Sequence, residues 1–193
     1  VQIKQKIRSY TALEKLLDVL LLILTGGHGL VEINTRLRSD VGLQRAFGRK
    51  GCAEQSTISD TLTSCSRQTI EQMRKANTQL LQRHGQVMQL SQPGTPETTN
   101  WLVLDADMTG LAGGKQGEGV SKGYFGGQRD QRGRQLGRVL ATDTDEILVE
   151  RLFNGKSQLE QNLLTLVDAT MLVLQPCATR PGNIIWRIDA DGG

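Results

Sequence analysis

Two short apolar runs in the second half of the chain each end in aspartates: Asp105 and Asp107 follow the first run, and Asp189 and Asp191 follow the second. The runs are typical of β-strands, and open α/β sheets place their sites at the C-terminal ends of strands. If the two strands are neighbours, their carboxylates converge and repel one another unless a cation lies between them. Mg²⁺ or Mn²⁺ suits such oxygen ligands, and a pair of these ions is the usual means of phosphodiester cleavage. Alternatively, these acids are ordinary solubilising residues.

A glycine-rich, basic segment follows the first pair of acids. Ten of the 22 glycines lie between Gly110 and Gly137. The segment contains neither GxxxxGKS, GxxxxGKT nor GxGxxG, so a nucleotide-binding loop is not predicted. We interpret it as a hairpin that carries cations toward a polyanion. Its six basic residues, opposed by only Glu118 and Asp130, are Lys115, Lys122, Arg129, Arg132, Arg134 and Arg138.

The N-terminal half contains a second candidate DNA-binding feature. Two short helices are predicted over 30–38 and 41–47, and a turn then leads into a polar helix. A short helix, a turn and a second helix form the pattern of a helix-turn-helix DNA reader. The candidate DNA contacts are the first residues of the second helix, Gln55, Ser56 and Thr57. A helical hairpin that serves packing alone has the same pattern.

Helical spacing dominates the first part of the chain. Apolar residues at positions 13, 16, 17, 20, 21 and 24 predict a buried helix that Gly26 and Gly27 end. A longer helix is predicted over 69–88. The proline-containing stretch that follows breaks this pattern, and residues 93–100 are the candidate linker.

Strand patterns dominate after the linker. Residues 101–107, 136–141, 147–153 and 183–189 are predicted as strands, and a helix is predicted from an N-cap at Ser157 to Leu172. This order indicates an α/β (α+β) fold. We therefore expect a helical DNA-binding region over 1–92 and a separate domain with a mixed sheet over 101–193.

Composition narrows the class of protein. The net charge of +3 combines an excess of five positive charges in residues 1–100 with an excess of two negative charges in residues 101–193. Three distant cysteines and two histidines favour neither a disulfide framework nor a zinc site, which indicates a reducing compartment. The longest apolar run is too short to cross a membrane.

Four segments, taken in order, resemble a known family. They are LVLDADMTGL, KGYFGGQRDQRGRQLGRVLA, LFNGKSQLEQNLLTLV and IIWRIDADGG. The series is similar to the first half of a DDE transposase of bacterial insertion sequences, with the transposase DDE domain group 1 type as the nearest group. The stretch AFGRKGCAEQSTISDTL also resembles the region that precedes the catalytic domain in these proteins. The resemblance therefore covers nearly the whole chain.

The resemblance implies an RNase H-like fold in which two Asp and one Glu bind two Mg²⁺ or Mn²⁺ ions to cut and rejoin DNA. The family's first Asp lies in a D-x-T setting, which matches Asp107 better than Asp105. The second lies in an R-x-D-x-G-like setting, which matches Asp189, whereas Asp191 stands where the family tends to have glycine. Asp107 and Asp189 are thus the expected catalytic metal ligands, and Asp105 and Asp191 are the alternatives.

The resemblance also implies partners and a location. The parent protein would bind the terminal inverted repeats of its element and target DNA, with phosphates contacted through charge by Lys115, Lys122, Arg132, Arg134 and Arg138. Such transposases usually act as dimers on paired DNA ends, which implies a homodimer. A bacterial cytoplasmic, nucleoid-associated location follows, with no membrane partner.

The family's third acid, a Glu on a later helix, has no counterpart in the sequence. Glu146, Glu150 and Glu160 precede Asp189, which is the wrong order to replace it. We therefore expect a fragment with little or no strand transfer by itself. Two other interpretations are a non-catalytic DNA-binding remnant and, from the DxD at Asp105-Ala106-Asp107, a nucleotide-sugar glycosyltransferase that holds Mn²⁺.

Overall fold

The computed structural model describes residues 3, 9–90, 101–125, 127–175 and 183–188. The chain divides into two compact units, Val1–Ala76 and Asn77–Gly193. Helices and a five-stranded mixed sheet build these units, which confirms the prediction of a mixed α and β protein. The boundary between the units lies before the predicted linker, and residues 93–100 of that linker are outside the described part of the chain.

Every regular element described before residue 91 is a helix. The elements are α1 (Ala12–Leu24), a π-helical turn (Ile33–Leu37), α2 (Val41–Ala46), α3 (Gln55–Thr63), α4 (Arg67–His84) and α5 (Val87–Leu90). A capping box starts α1, because Thr11 accepts the N–H of Glu14 while the Glu14 carboxylate accepts the N–H of Thr11. The first unit has its own apolar core, centred on Leu22, Ile33 and Ile58.

The orientation of α1 differs from the sequence prediction of a helix buried on its leucine face. Its buried residues are Lys15, Asp18, Leu21 and Leu22. Most of the predicted apolar stripe is exposed instead, including Leu13, Leu17, Leu20 and Leu24. The reason is a polar anchor on the other side of the helix.

Asp18 is that anchor. It is almost completely buried, and its Oδ1 accepts from Nε (3.2 Å) and Nη2 (3.0 Å) of Arg49. Its Oδ2 accepts the main-chain N–H of Ala53 at 3.1 Å. Arg49 also reaches Glu14, with Nη1 3.0 Å from Oε1. A buried carboxylate needs partners of this kind, so the pairing turns Asp18 and its face of α1 inward.

The two cysteines of the described residues are free thiols. Burial is the main cause that raises the pKa of Cys52 to about 12, and the negative charge of Asp18 acts in the same direction. Burial also raises the pKa of Cys65. Both thiols are therefore protonated at neutral pH. Cys177 lies outside the described residues.

The last residues of α4 and the short helix α5 belong to the second unit because they pack against its sheet. Val87 is fully buried in the core of that unit. Glu146 accepts the main-chain N–H groups of Gln86 (2.8 Å) and Val87 (2.7 Å), which satisfies donors at the start of α5. The helix predicted over 69–88 thus ends at His84, and α5 is a separate element.

The sheet contains β1 (Leu102–Ala112), β2 (Ser121–Phe125), β3 (Gln128–Ala141), β4 (Glu146–Phe153) and β5 (Ile184–Ile188). β1 pairs antiparallel with β3 on one edge and parallel with β5 on the other. β2 and β4 both pair antiparallel with β3, β2 along its first part and β4 along its second. The chain reaches β5 from β4 through helix α6 (Leu159–Leu174).

The core of the second unit lies between the sheet and α6. Alternate residues of β1 (Leu102, Leu104 and Ala106) are buried with Val139 of β3 and Leu166 of α6. This alternation is the pattern of a strand with one covered face. α6 begins one residue later than predicted, because its N-cap is Gln158 rather than Ser157.

We predict that Arg49→Ala lowers the free energy of unfolding by about 3–5 kcal/mol, because it leaves the Asp18 carboxylate buried without its charge partner. Urea unfolding followed by circular dichroism measures the change. Arg45→Ala is the matched control, since Arg45 is exposed on α2 and its loss is expected to cost less than about 0.5 kcal/mol. Equal stability of the two variants would show that the anchor is unimportant.

Candidate functional site

The two faces of β1 have different chemistry. Leu104 and Ala106 point to the covered face, while Asp105, Asp107 and Thr109 alternate with them on the opposite face. Each of these lies directly opposite a β3 residue, and for Asp107 that residue is Arg138. We call this second side of the sheet the charged face. It carries two of the predicted acids, Asp105 and Asp107, and one of the predicted cations, Arg138, directly opposite Asp107.

Asp107 lies in the middle of β1, not at its C-terminal end as the sequence predicted. The strand continues to Ala112 because β3 pairs with it over that whole length. The parallel pairing with β5, in contrast, is described only as far as Ala106 beside Ile188. Asp107 therefore follows directly after the parallel pairing, on the central strand of the sheet.

The Asp107 carboxylate is exposed and has only local partners. Its Oδ1 accepts the main-chain N–H of Met108 at 2.7 Å, and its Oδ2 accepts the hydroxyl of Thr109 at 3.3 Å. No cationic side chain of the described residues pairs with it. An exposed carboxylate held in one orientation by two neutral donors fits a hard divalent cation, which binds carboxylate oxygens and retains water.

Asp105 is different, because a cation of the protein already neutralises it. Both of its carboxylate oxygens accept from Arg187 of β5, in a two-pronged pair between directly opposite residues. The hydrogen bonds from Arg187 are the main cause that lowers the pKa of Asp105. Asp105 therefore fits a metal less well than Asp107 does.

Asp189 and Asp191 lie outside the described residues. Asp189 directly follows Ile188, the last described residue of β5, as Asp107 follows Ala106. Within the ranges that are described, no three His, Cys, Asp or Glu side chains cluster as a metal site would require. The metal assignment to Asp189 stays a prediction.

Arg138 and Glu150 extend the row across the sheet. Arg138 lies between Asp107 on β1 and Glu150 on β4, directly opposite both. Its guanidinium bonds to Glu150, with Nε 2.8 Å from Oε1. The sequence did not predict this pairing, because Glu150 suggested only a third metal ligand, for which it stands in the wrong order. The alternation of side chains along β3 and β4 indicates which residues share a face. The register between the two strands is also needed to find which of them are directly opposite, and the sequence does not give it.

The other predicted phosphate contacts fall into two groups. Lys122 and Arg132 are directly opposite each other on β2 and β3, on the charged face, and neither forms an ion pair with a described residue. Lys115 is exposed in the loop after β1. Arg134 instead donates to the carbonyl oxygens of Phe153 (3.2 Å) and Leu152 (3.1 Å). Arg134 and Arg138 therefore already have partners within the sheet.

The glycines of this hairpin have a packing role that the sequence analysis missed. The ring of buried Phe125 lies against Gly110, Gly123 and Gly133 on the covered face. A Cβ at Gly133 would lie 2.8 Å from the ring and 2.4 Å from the carbonyl oxygen of Leu111. The glycines thus let an aromatic ring cover the backbone on one face while basic side chains occupy the other.

The proposed reading helix α3 keeps its first turn near the surface. Ser56 is exposed, and Gln55 and Thr57 are half-buried. The main-chain N–H of Gln55 donates to Oδ1 of Asn34 at 3.2 Å, which satisfies one donor at the helix start. The connection from α2 spans 47–54, longer than the three or four residues of the usual helix-turn-helix turn.

Comparison of the chain with models of protein families, with curated proteins and with solved structures finds no match. Among the helices that the structure describes, none is both long and apolar enough to cross a membrane. The candidate site therefore has to be judged on its own residues.

We predict that Arg187→Gln raises the pKa of Asp105 toward its ordinary value. In the folded native protein the pKa of Asp105 is lowered, so its pair with Arg187 stabilises the fold at neutral pH. This contribution is lost as pH falls below about 4, because the carboxylate becomes protonated. Both side chains are exposed to solvent, which screens their attraction, so this contribution to stability is small. NMR titration of the carboxyl group measures the pKa. In an Asp105→Asn background, Arg187→Gln should leave the pH dependence of the free energy of unfolding unchanged near pH 4. A change there would contradict the assignment.

Proposed function

We propose that this chain is the front part of an RNase H-like DDE transposase, which binds DNA and cleaves and joins phosphodiesters with divalent metal ions. The observation that carries the proposal is the position of Asp107. This carboxylate is available on the central strand, directly after the parallel pairing with β5 and on the face that bears Lys122 and Arg132. The series of four motifs in the sequence is the reason to assign that site to a transposase.

The topology of the sheet supports the RNase H-like part of the proposal. Three antiparallel strands lie in the order β4, β3, β1, and a helical crossover then leads to β5, parallel to β1 on its other side. A mixed sheet with a covering helix is the architecture that the resemblance implies for this domain. β2 is an addition to it, formed by the hairpin that pairs with the first part of β3.

The proposed roles follow from the chemistry of each group. Asp107 and Asp189 would hold Mg²⁺ or Mn²⁺, which supplies activation of water or a 3′-hydroxyl and stabilisation of the leaving oxygen. Asp107 is oriented for this by Met108 and Thr109. Lys122 and Arg132 would bind the DNA backbone farther along the same face of the sheet, through charge rather than base reading.

The helical first unit would recognise the ends of the element. Its charge supports this role, because residues 1–76 carry 12 Lys and Arg against 7 Asp and Glu. Ser56, at the exposed first turn of α3, is the side chain best placed among the three predicted contacts. The following experiments distinguish this proposal from two alternatives, an inert remnant and a DxD glycosyltransferase.

We predict that Asp107→Asn weakens Mn²⁺ binding by this chain and lowers metal-dependent DNA cleavage by the full gene product more than about 100-fold. Loss of a group that merely supports a metal ligand already costs about 10- to 100-fold. Electron paramagnetic resonance of free Mn²⁺ and cleavage of labelled DNA are the measurements. Glu160→Gln, an exposed acid on α6, is the control. Unchanged Mn²⁺ affinity in Asp107→Asn would refute the metal assignment.

We predict that Lys122→Gln combined with Arg132→Gln lowers the slope of log affinity for duplex DNA against log salt by about 1.8, since each phosphate contact contributes about 0.9. Fluorescence anisotropy at several salt concentrations measures the slope. Arg151→Gln removes one charge from the opposite face of the same sheet and should leave the slope nearly unchanged. Identical slopes for the native chain and both variants would exclude the hairpin as a DNA contact. Binding of a nucleotide sugar, with no binding of DNA, would favour the glycosyltransferase.

A further inference from the structure

One row of alternating charges crosses the charged face of the sheet. Asp107 on β1, Arg138 on β3 and Glu150 on β4 are directly opposite one another in the antiparallel registers. Directly opposite side chains on one face have Cβ atoms about 4.5–5.5 Å apart, so Arg138 has a carboxylate within reach on each side. The two carboxylates compete for one guanidinium.

In this structure the guanidinium of Arg138 donates to Glu150. Nε and Nη2 of Arg138 both donate to Oε1 of Glu150, at 2.8 and 2.5 Å. Within the described part of the chain, Arg138 makes no hydrogen bond or ion pair with Asp107. The Asp107 carboxylate keeps only the neutral donors of Met108 and Thr109.

Asp105 shows a different pairing on the same face. Its directly opposite arginine, Arg187, lies on β5, which is the last strand on that side of the described sheet. No further strand of the described sheet places a carboxylate directly opposite Arg187. Although the charge of Asp143 also acts on it, Arg187 pairs with both oxygens of Asp105. Glu150, directly opposite Arg138 on the next strand, has no counterpart beyond Arg187 in the described sheet.

We propose that Glu150 is a positioning residue that holds Arg138 away from Asp107 and thereby keeps the Asp107 carboxylate available for a divalent cation. The inference rests on the metal role given to Asp107 in the proposed function. Glu150 acts through Arg138 and is not itself a ligand of that cation. Two strand spacings, about 10 Å, separate its backbone from that of Asp107, and Arg138 lies between them.

The test is a double-mutant cycle on Mn²⁺ affinity, measured with the full chain by electron paramagnetic resonance. Glu150→Gln releases Arg138, which then pairs with Asp107 and competes with the metal. An exposed pair of this kind should weaken Mn²⁺ binding by about two- to fivefold. Arg138→Gln should not weaken binding, because it removes the competing cation. In that background, Glu150→Gln should have a much smaller effect.

Two comparisons make the cycle decisive. Glu160→Gln removes one negative charge on α6 and should leave the affinity within experimental error of the native chain. If Glu150→Gln weakens binding by the same factor with and without Arg138, or does not weaken it at all, the positioning role is overturned while the metal site stands. If Asp107→Asn leaves the affinity unchanged, the metal assignment fails, and the inference fails with it.

Discussion

The pairing of β1 on both edges is the constraint on which the candidate site depends. Parallel pairing with β5 and antiparallel pairing with β3 together fix which β1 side chains face α6 and which face away from it. A shift of one residue in the β3 register would turn Asp107 toward the core that contains Val139 and Leu166, where an unpaired carboxylate is strongly unfavourable. The buried residues Leu104 and Ala106 therefore hold the acid on the charged face, and the site is a consequence of apolar packing.

Local patterns predicted most of the elements but not the length of β1. The apolar run at 102–104 marks its beginning, whereas the glycine-rich residues after Asp107 carry no strong strand signal. That part of the strand is stabilised by hydrogen bonds to β3, which sequence periodicity does not detect. The ion pairs of the charged face were not predicted for a related reason. Arg187 is 82 residues from Asp105, and a pattern of local spacing cannot indicate a contact over such a separation in sequence.

Helix α1 illustrates the same limit in the first unit. Its leucines have the spacing of a buried stripe, and composition alone favours burying them rather than Lys15 and Asp18. The preference is reversed because Asp18 finds two donors in Arg49 and a third in the main chain of Ala53. A satisfied buried carboxylate thus decides which side of a helix faces its own core, and the leucine side is left exposed.

The arginines of the charged face have separate tasks even though they were predicted as one basic group. Arg134 braces the end of β4 through two carbonyl oxygens, and Arg138 is held by Glu150. Lys122 and Arg132 form no ion pair with a described residue, and they lie directly opposite each other on the hairpin. Like charges in that arrangement repel, so the protein retains a local cost that a polyanion would relieve. Positive charge is therefore uncompensated on the hairpin and balanced beside Asp107, which is the distribution expected if a phosphate backbone is held at one end of the face and a metal ion at the other.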